Sequence, residues 1–120
     1  MGGSMMSRGR FRTSRKELLE RKLEKSFFVV RGLDHPQSGD IRKRLTDEQR
    51  AYVKEAGRVK MIHGGLLYTS DDGIAGTCLI LEAASSTDVR DWVHASPFHK
   101  GGLFATISID RWGWTYGRSP

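Results

Sequence analysis

The chain has one cysteine, Cys78, and so cannot close an internal disulfide. Its place inside Thr77-Cys78-Leu79-Ile80-Leu81 marks it as a small buried hydrophobe rather than a reactive thiol. No apolar run approaches the roughly 18 residues that a membrane-crossing helix needs. The N-terminus lacks the apolar stretch of a secretory signal, and its sixth residue, Met6, stands where a myristoylation signal requires Ser or Thr. Glu17, Glu20 and Glu24 argue against an organelle transit segment, which is poor in acids. A soluble, cytoplasmic protein is the expectation. Familiar catalytic signatures are missing too: there is no phosphate-cradling glycine loop, no Gly-x-Ser-x-Gly elbow and no His/Cys spacing for a metal. Neither metal nor cofactor is therefore expected.

What the chain does have is charge, unevenly placed. Of the formal net charge of +6, residues 1–25 supply +5, from eight Lys or Arg against three Glu, leaving +1 for everything after. The basicity belongs to a tail and says little about the ligand of the folded part, so nucleic acid ranks last among partners. Ser14-Arg15-Lys16-Glu17 has capping-box spacing before Leu18, Leu19 and Leu23, consistent with a short helix in an otherwise disordered lead. At 120 residues the remainder is one domain, spanning 26–116, with 117–120 as a C-terminal tail.

Phe27-Phe28-Val29-Val30 and Cys78-Leu79-Ile80-Leu81 are continuous apolar runs, the mark of strands covered on both faces. Helices can cover one face of such a small sheet, and a second subunit is the natural cover for the other. Between the two runs, Thr46-Asp47-Glu48-Gln49 has capping-box spacing and predicts a helix of about three turns ending at Gly57, with Leu45, Gln49, Tyr52, Val53 and Ala56 inward. A strand over 59–67 and a turn at Asp71-Asp72-Gly73 make a hairpin with the third strand. Ser85-Ser86-Thr87-Asp88 caps a second helix with Val89, Trp92 and Val93 inward, and 105–110 form a fourth strand. The order β-α-β-β-α-β predicts an α+β, ferredoxin-like domain with an antiparallel sheet.

An ordered series of short motifs points further. Asp34-His35-Pro36, Ile41-Arg42, Tyr52-Val53, Gly64-Gly65-Leu66-Leu67, Asp71-Asp72-Gly73 and Gly76-Thr77-Cys78-Leu79-Ile80 lead to Ser96-Pro97-Phe98, then Gly101-Gly102-Leu103-Phe104 and the aromatic close Trp112-Gly113-Trp114. This series, over roughly residues 26–115, resembles the YCII-related (YciI-like) family. The resemblance implies a ferredoxin-like fold paired sheet to sheet as a dimeric α/β barrel. It also implies elimination, dehydrochlorination or isomerisation of small molecules by proton transfer, in the manner of dehydrochlorinases or muconolactone isomerases.

The chain departs from that family at two positions. The family's helix His falls on Gln49, and its Asp-Pro acid is replaced by Ser96. Glutamine carries no exchangeable charge in the physiological range, so acid–base work by that group is excluded. Two readings of Gln49 stand open: a capping side chain reaching back to Thr46, or a pocket amide beside Tyr52. Asp34 is kept, and His63, next to Gly64-Gly65 where the family has a small residue, is the candidate for a relocated base. The catalytic candidates are thus Asp34 and His63, and the substrate-binding candidates Gln49, Tyr52, Gly64 and Ser96. His94 and His99 straddle Pro97 and are read as ordinary exposed residues, one on the second helix and one in the loop after it. A lyase or isomerase and a non-catalytic small-molecule binder, either one a homodimer, rank level. Nucleic-acid binding by the tail comes third.

Overall fold

A computed structural model describes residues 25–55 and 57–117. Its elements are β1 (Ser26–Asp34), α1 (Gly39–Lys54), β2 (Lys60–Tyr68), β3 (Ile74–Ala83), α2 (Ser86–His94), the single turn α3 (Pro97–Lys100) and β4 (Phe104–Trp112). The sheet order is β2-β3-β1-β4 with every pair antiparallel. This is the ferredoxin-like α+β arrangement, with the helices on one face of the sheet. The helix suggested for residues 14–23 lies outside the described residues.

The period-two alternation of strand side chains sorts the apolar runs into two faces. Phe28 and Val30 on β1 and Leu81 and Ala83 on β3 are buried with Val59, Val89 and Val93, and Met61, Leu79, Trp92, Ile107 and Ile109 pack against them. The alternate positions Phe27, Val29, Cys78 and Ile80 point to the other face and are only half-buried. Cys78 is accordingly not the core residue its apolar neighbours suggested. The strands are apolar on both sides, and the helices cover only one.

α2 begins where its sequence predicts, with the Ser85 side chain accepting from the Asp88 N–H. α1 does not. It starts two turns before Thr46, with Ser38 at its N-cap, and runs sixteen residues to Lys54. Thr46 is interior, its hydroxyl donating to the Arg42 carbonyl. The Thr46–Gln49 capping box is therefore overturned. The spacing was right for a helix start, but Gly39 to Leu45 also hold helical geometry once Arg42 finds a buried partner on the sheet.

Where β1 crosses β3, the backbones approach so closely that a Cβ at Gly76 would run into the carbonyl oxygen of Gly32. On the other side a register shift between Leu33 and Asp34 skips Ala105, so Phe104 turns inward, its ring less than a van der Waals contact from where a Gly32 Cβ would sit. Among the described residues no helix is long and apolar enough to cross a membrane.

Gly76→Ala is expected to force β1 and β3 apart and lower stability by about 1–3 kcal/mol. Gly113→Ala, whose Cβ would meet nothing within 4 Å, is expected to stay within about 0.5 kcal/mol of wild type. Urea denaturation of both variants checks the difference.

Candidate functional site

α1 is a poorly apolar helix. Of its sixteen residues only Arg42 is buried, and it cannot seal against the sheet. The gap between α1, the end of β1 and the β2–β3 hairpin is an open-mouthed cavity of about 1060 Å³. Its apolar wall includes Val53, Met61, Leu66, Leu79 and Phe98, its charged groups are Asp34, Arg42, Lys43 and Arg50, and it is also lined by His35.

Arg42 organises the floor. Its Nε donates to Asp34 Oδ2 and its Nη2 to Asp34 Oδ1, both at 2.8 Å, and Nη2 also donates to Thr77 Oγ1 at 2.9 Å. The two side chains are 9% and 8% exposed. The guanidinium lies 5.0 Å from the centroid of the Phe98 ring, within cation–π range. Among the described residues its Nη1 has no acceptor, leaving two donors of a buried cation to be met inside the cavity. Three fixed cations face one carboxylate there, which favours an anionic or electron-rich ligand.

Two turns along the same face of α1, Gln49 Oε1 accepts the Phe98 backbone N–H at 3.0 Å. Gln49 is thus neither a cap for Thr46 nor a wholly free pocket amide. It lines the cavity, and its carbonyl satisfies an orphan donor at the start of α3. Gly64 lines the opposite wall, where a side chain would press on Met61 and Leu79.

The other candidates lie elsewhere. Tyr52 donates its hydroxyl to the Trp92 carbonyl at 2.6 Å and packs on the Trp92 ring, tying α1 to α2. Burial, and secondarily the charge of Glu55, raise its pKa above the ordinary tyrosine value. Ser96 is fully buried, donates to the Val93 carbonyl and accepts from the His99 N–H as the cap of α3. It touches a smaller adjoining void with Gln49 rather than the main cavity. His63 pairs with Ile80 across a bulge at Ile62, which turns it to the sheet's open face, where its ring lies 5.7 Å from that of Trp114. The structure therefore brings Asp34, Gln49 and Gly64 together and sets His63, Tyr52 and Ser96 apart from them.

Arg42, Thr77 and His35 were missed as site residues. The sequence signals for the first were its place in the Ile41-Arg42 motif and its position seven residues before Gln49, on one helical face. His94 and His99 also differ from expectation: α3 folds the chain back so that their rings stack at 4.5 Å. Among the described residues no group of three or more His, Cys, Asp or Glu is placed to hold a metal ion.

No family profile and no curated protein matches the chain. A solved structure does: 5-chloro-2-hydroxyhydroquinone dehydrochlorinase from Burkholderia phenoliruptrix, in complex with 2,5-dihydroxybenzoquinone. The two share 30% identity with a TM-score of 0.66, over 72% of this chain and 93% of that one.

Asp34→Asn would leave Arg42 buried without its counter-charge, and a loss of about 3–5 kcal/mol is expected. The double variant Asp34→Leu/Arg42→Met, which removes both charges, is expected to recover most of that loss in the same denaturation experiment.

Proposed function

This chain belongs to the dimeric α/β-barrel superfamily that includes that dehydrochlorinase, and from this premise we propose that it is a YCII-related small-molecule lyase or isomerase working by proton transfer on hydroxylated, ring-derived compounds. The observation that carries the reading is the buried guanidinium of Arg42, held on one side by Asp34 and Thr77 and lining a largely apolar cavity with Nη1 unmatched. A planar molecule with an ionised or carbonyl oxygen fits such a floor, since the oxygen accepts from Nη1 while the ring lies against Phe98, Leu79 and Met61. Quinone-like and enolate-like compounds have this form. The 2,5-dihydroxybenzoquinone bound by the dehydrochlorinase is one of them.

In this reading Asp34 positions Arg42 and is not a base, because both of its oxygens already accept charged N–H donors. Gln49 offers its amide nitrogen to the ligand, and Gly64 keeps room for the ring. A second reading, a binder that does no chemistry, draws on the replacement of the family's His by Gln49, whose carbonyl is engaged with Phe98.

The half-buried face of the sheet supports a homodimer. Phe27 meets Trp114 edge-on at 5.2 Å, and Trp112 lies beside Trp114 at 5.0 Å. With Val29 and Ile80 these rings form an apolar surface that a second copy would cover. His63 lies on that face, so it would belong to the subunit contact. The cytoplasm is the compartment we infer, and nucleic-acid binding by residues 1–25 remains the third reading.

Saturable quenching of tryptophan fluorescence by 2,5-dihydroxybenzoquinone, with chloride release from 5-chloro-2-hydroxyhydroquinone, is the expected result. Arg42→Met in the double variant with Asp34→Leu should weaken binding at least about tenfold. Leu66→Trp, at an exposed wall position, should do the same by filling the cavity. Saturable binding without chloride release would select the binder, and no binding would remove both readings. Light scattering at roughly tens of micromolar is expected to give twice the chain mass, and a strict monomer would remove the dimer.

A further inference from the structure

We propose that His35 is the acid–base residue of this cavity, taking the role that Gln49 cannot fill. The inference rests on the reading of the cavity as a lyase or isomerase site. It follows from the chemistry of the groups that line it. Of the five titratable side chains there, Arg42 and Arg50 are permanent cations, Lys43 bears an amine of a type that is cationic in water at neutral pH, and Asp34 is buried with both oxygens engaged by Arg42. Histidine alone among side-chain types ordinarily changes charge between about pH 5 and pH 8 and can both take and return a proton. The walls contributed by β2 and β3 carry no titratable group: β2 supplies Met61, Gly64, Gly65 and Leu66, and β3 supplies Thr77 with apolar neighbours such as Leu79.

His35 is also well held for the task. It directly follows Asp34, whose carboxylate is fixed on Arg42. Its backbone N–H donates to the Leu103 carbonyl at 2.9 Å, and its own carbonyl accepts from the Ser38 hydroxyl at 2.6 Å, beside the N-cap of α1. The main chain is thus pinned on both sides, while the residue stays exposed to solvent at the cavity wall. The charged groups that line the cavity with it are Asp34, at the end of β1 just before it, and Arg42, Lys43 and Arg50 from α1.

The step balances without a redox partner. A ring hydroxyl proton first moves to the carbon that bears chlorine, giving the keto tautomer. The neutral imidazole then takes a second hydroxyl proton, the freed O–H pair becomes a C=O, and the adjoining ring π pair shifts to form a double bond at the chlorine-bearing carbon. Chloride leaves with the C–Cl bonding pair. The imidazolium then gives its proton to water, so the net change is loss of H⁺ and Cl⁻. Arg42 holds the oxygen on which negative charge gathers during the transfer.

The test uses the full chain with 5-chloro-2-hydroxyhydroquinone as substrate and 2,5-dihydroxybenzoquinone as binding probe. His35→Gln is expected to lower kcat by about 10²- to 10⁴-fold with KM within a few-fold, and to abolish the acid limb of the pH–rate profile. Imidazole added to His35→Ala should restore part of the rate, because the position is open to solvent. In wild type, the His35 ring signals in NMR spectra should shift on adding the probe. Turnover that His35→Gln leaves intact overturns the role of His35 and spares the cavity reading. So does probe binding that moves no His35 signal. Probe binding by a wild type that releases no chloride also overturns it, in favour of a binder. Neither binding nor turnover removes the cavity reading and His35 together.

Discussion

One buried ion pair sets the geometry on which the site depends. Asp34 ends β1 and Arg42 lies in the first turns of α1, so their two parallel hydrogen bonds clamp the helix to the end of the central strand. Desolvating both groups is costly, and the pair is tolerable because the carboxylate and most of the guanidinium are satisfied, with Thr77 and the Phe98 ring adding contacts. With α1 fixed at one end by charge and not along its length by apolar packing, a wedge stays open between helix and sheet. The cavity follows from the clamp.

The other wall depends on small backbone features. The bulge at Ala105 turns Phe104 inward over Gly32, and Phe104 meets Phe98 edge to face at 6.0 Å. Phe98 thereby becomes the hub of the site. It carries the Arg42 guanidinium on its ring and the Gln49 carbonyl on its N–H. Leu45 packs over Gly101, where any Cβ would collide with it, so α1 and the end of α3 are in close contact beside that ring.

In the proposed function, which sets this chain beside the YCII-related family it resembles, the chemistry is rearranged within a kept fold. Where the resemblance expects a histidine, Gln49 carries no exchangeable proton of that kind and instead makes a hydrogen bond that fixes α3. A serine in place of the Asp-Pro acid becomes a fully buried cap for the same turn. In that reading both positions are structural, and His35 at the cavity wall is the residue proposed for proton transfer.

The amino-acid sequence by itself determined the β-α-β-β-α-β order, the apolar faces of the strands, the Ser85 cap and the hairpin at Asp71 to Gly73. Each rests on neighbours within a few residues, where periodicity and turn chemistry act. It also marked Asp34, Gln49 and Gly64, which do meet at one cavity. Tertiary structure decided the rest. α1 starts at Gly39 because Arg42 is satisfied by a carboxylate eight residues away and a hydroxyl 35 away, a reward no local pattern reports. His63 faces away from the cavity because a one-residue bulge at Ile62 inverts the side of the sheet to which it points. Gln49 answers Phe98, 49 residues on, rather than Thr46. Hydrogen bonds and register shifts between distant segments depend on how the elements pack, and a single sequence records that packing only through residues whose partners it does not name.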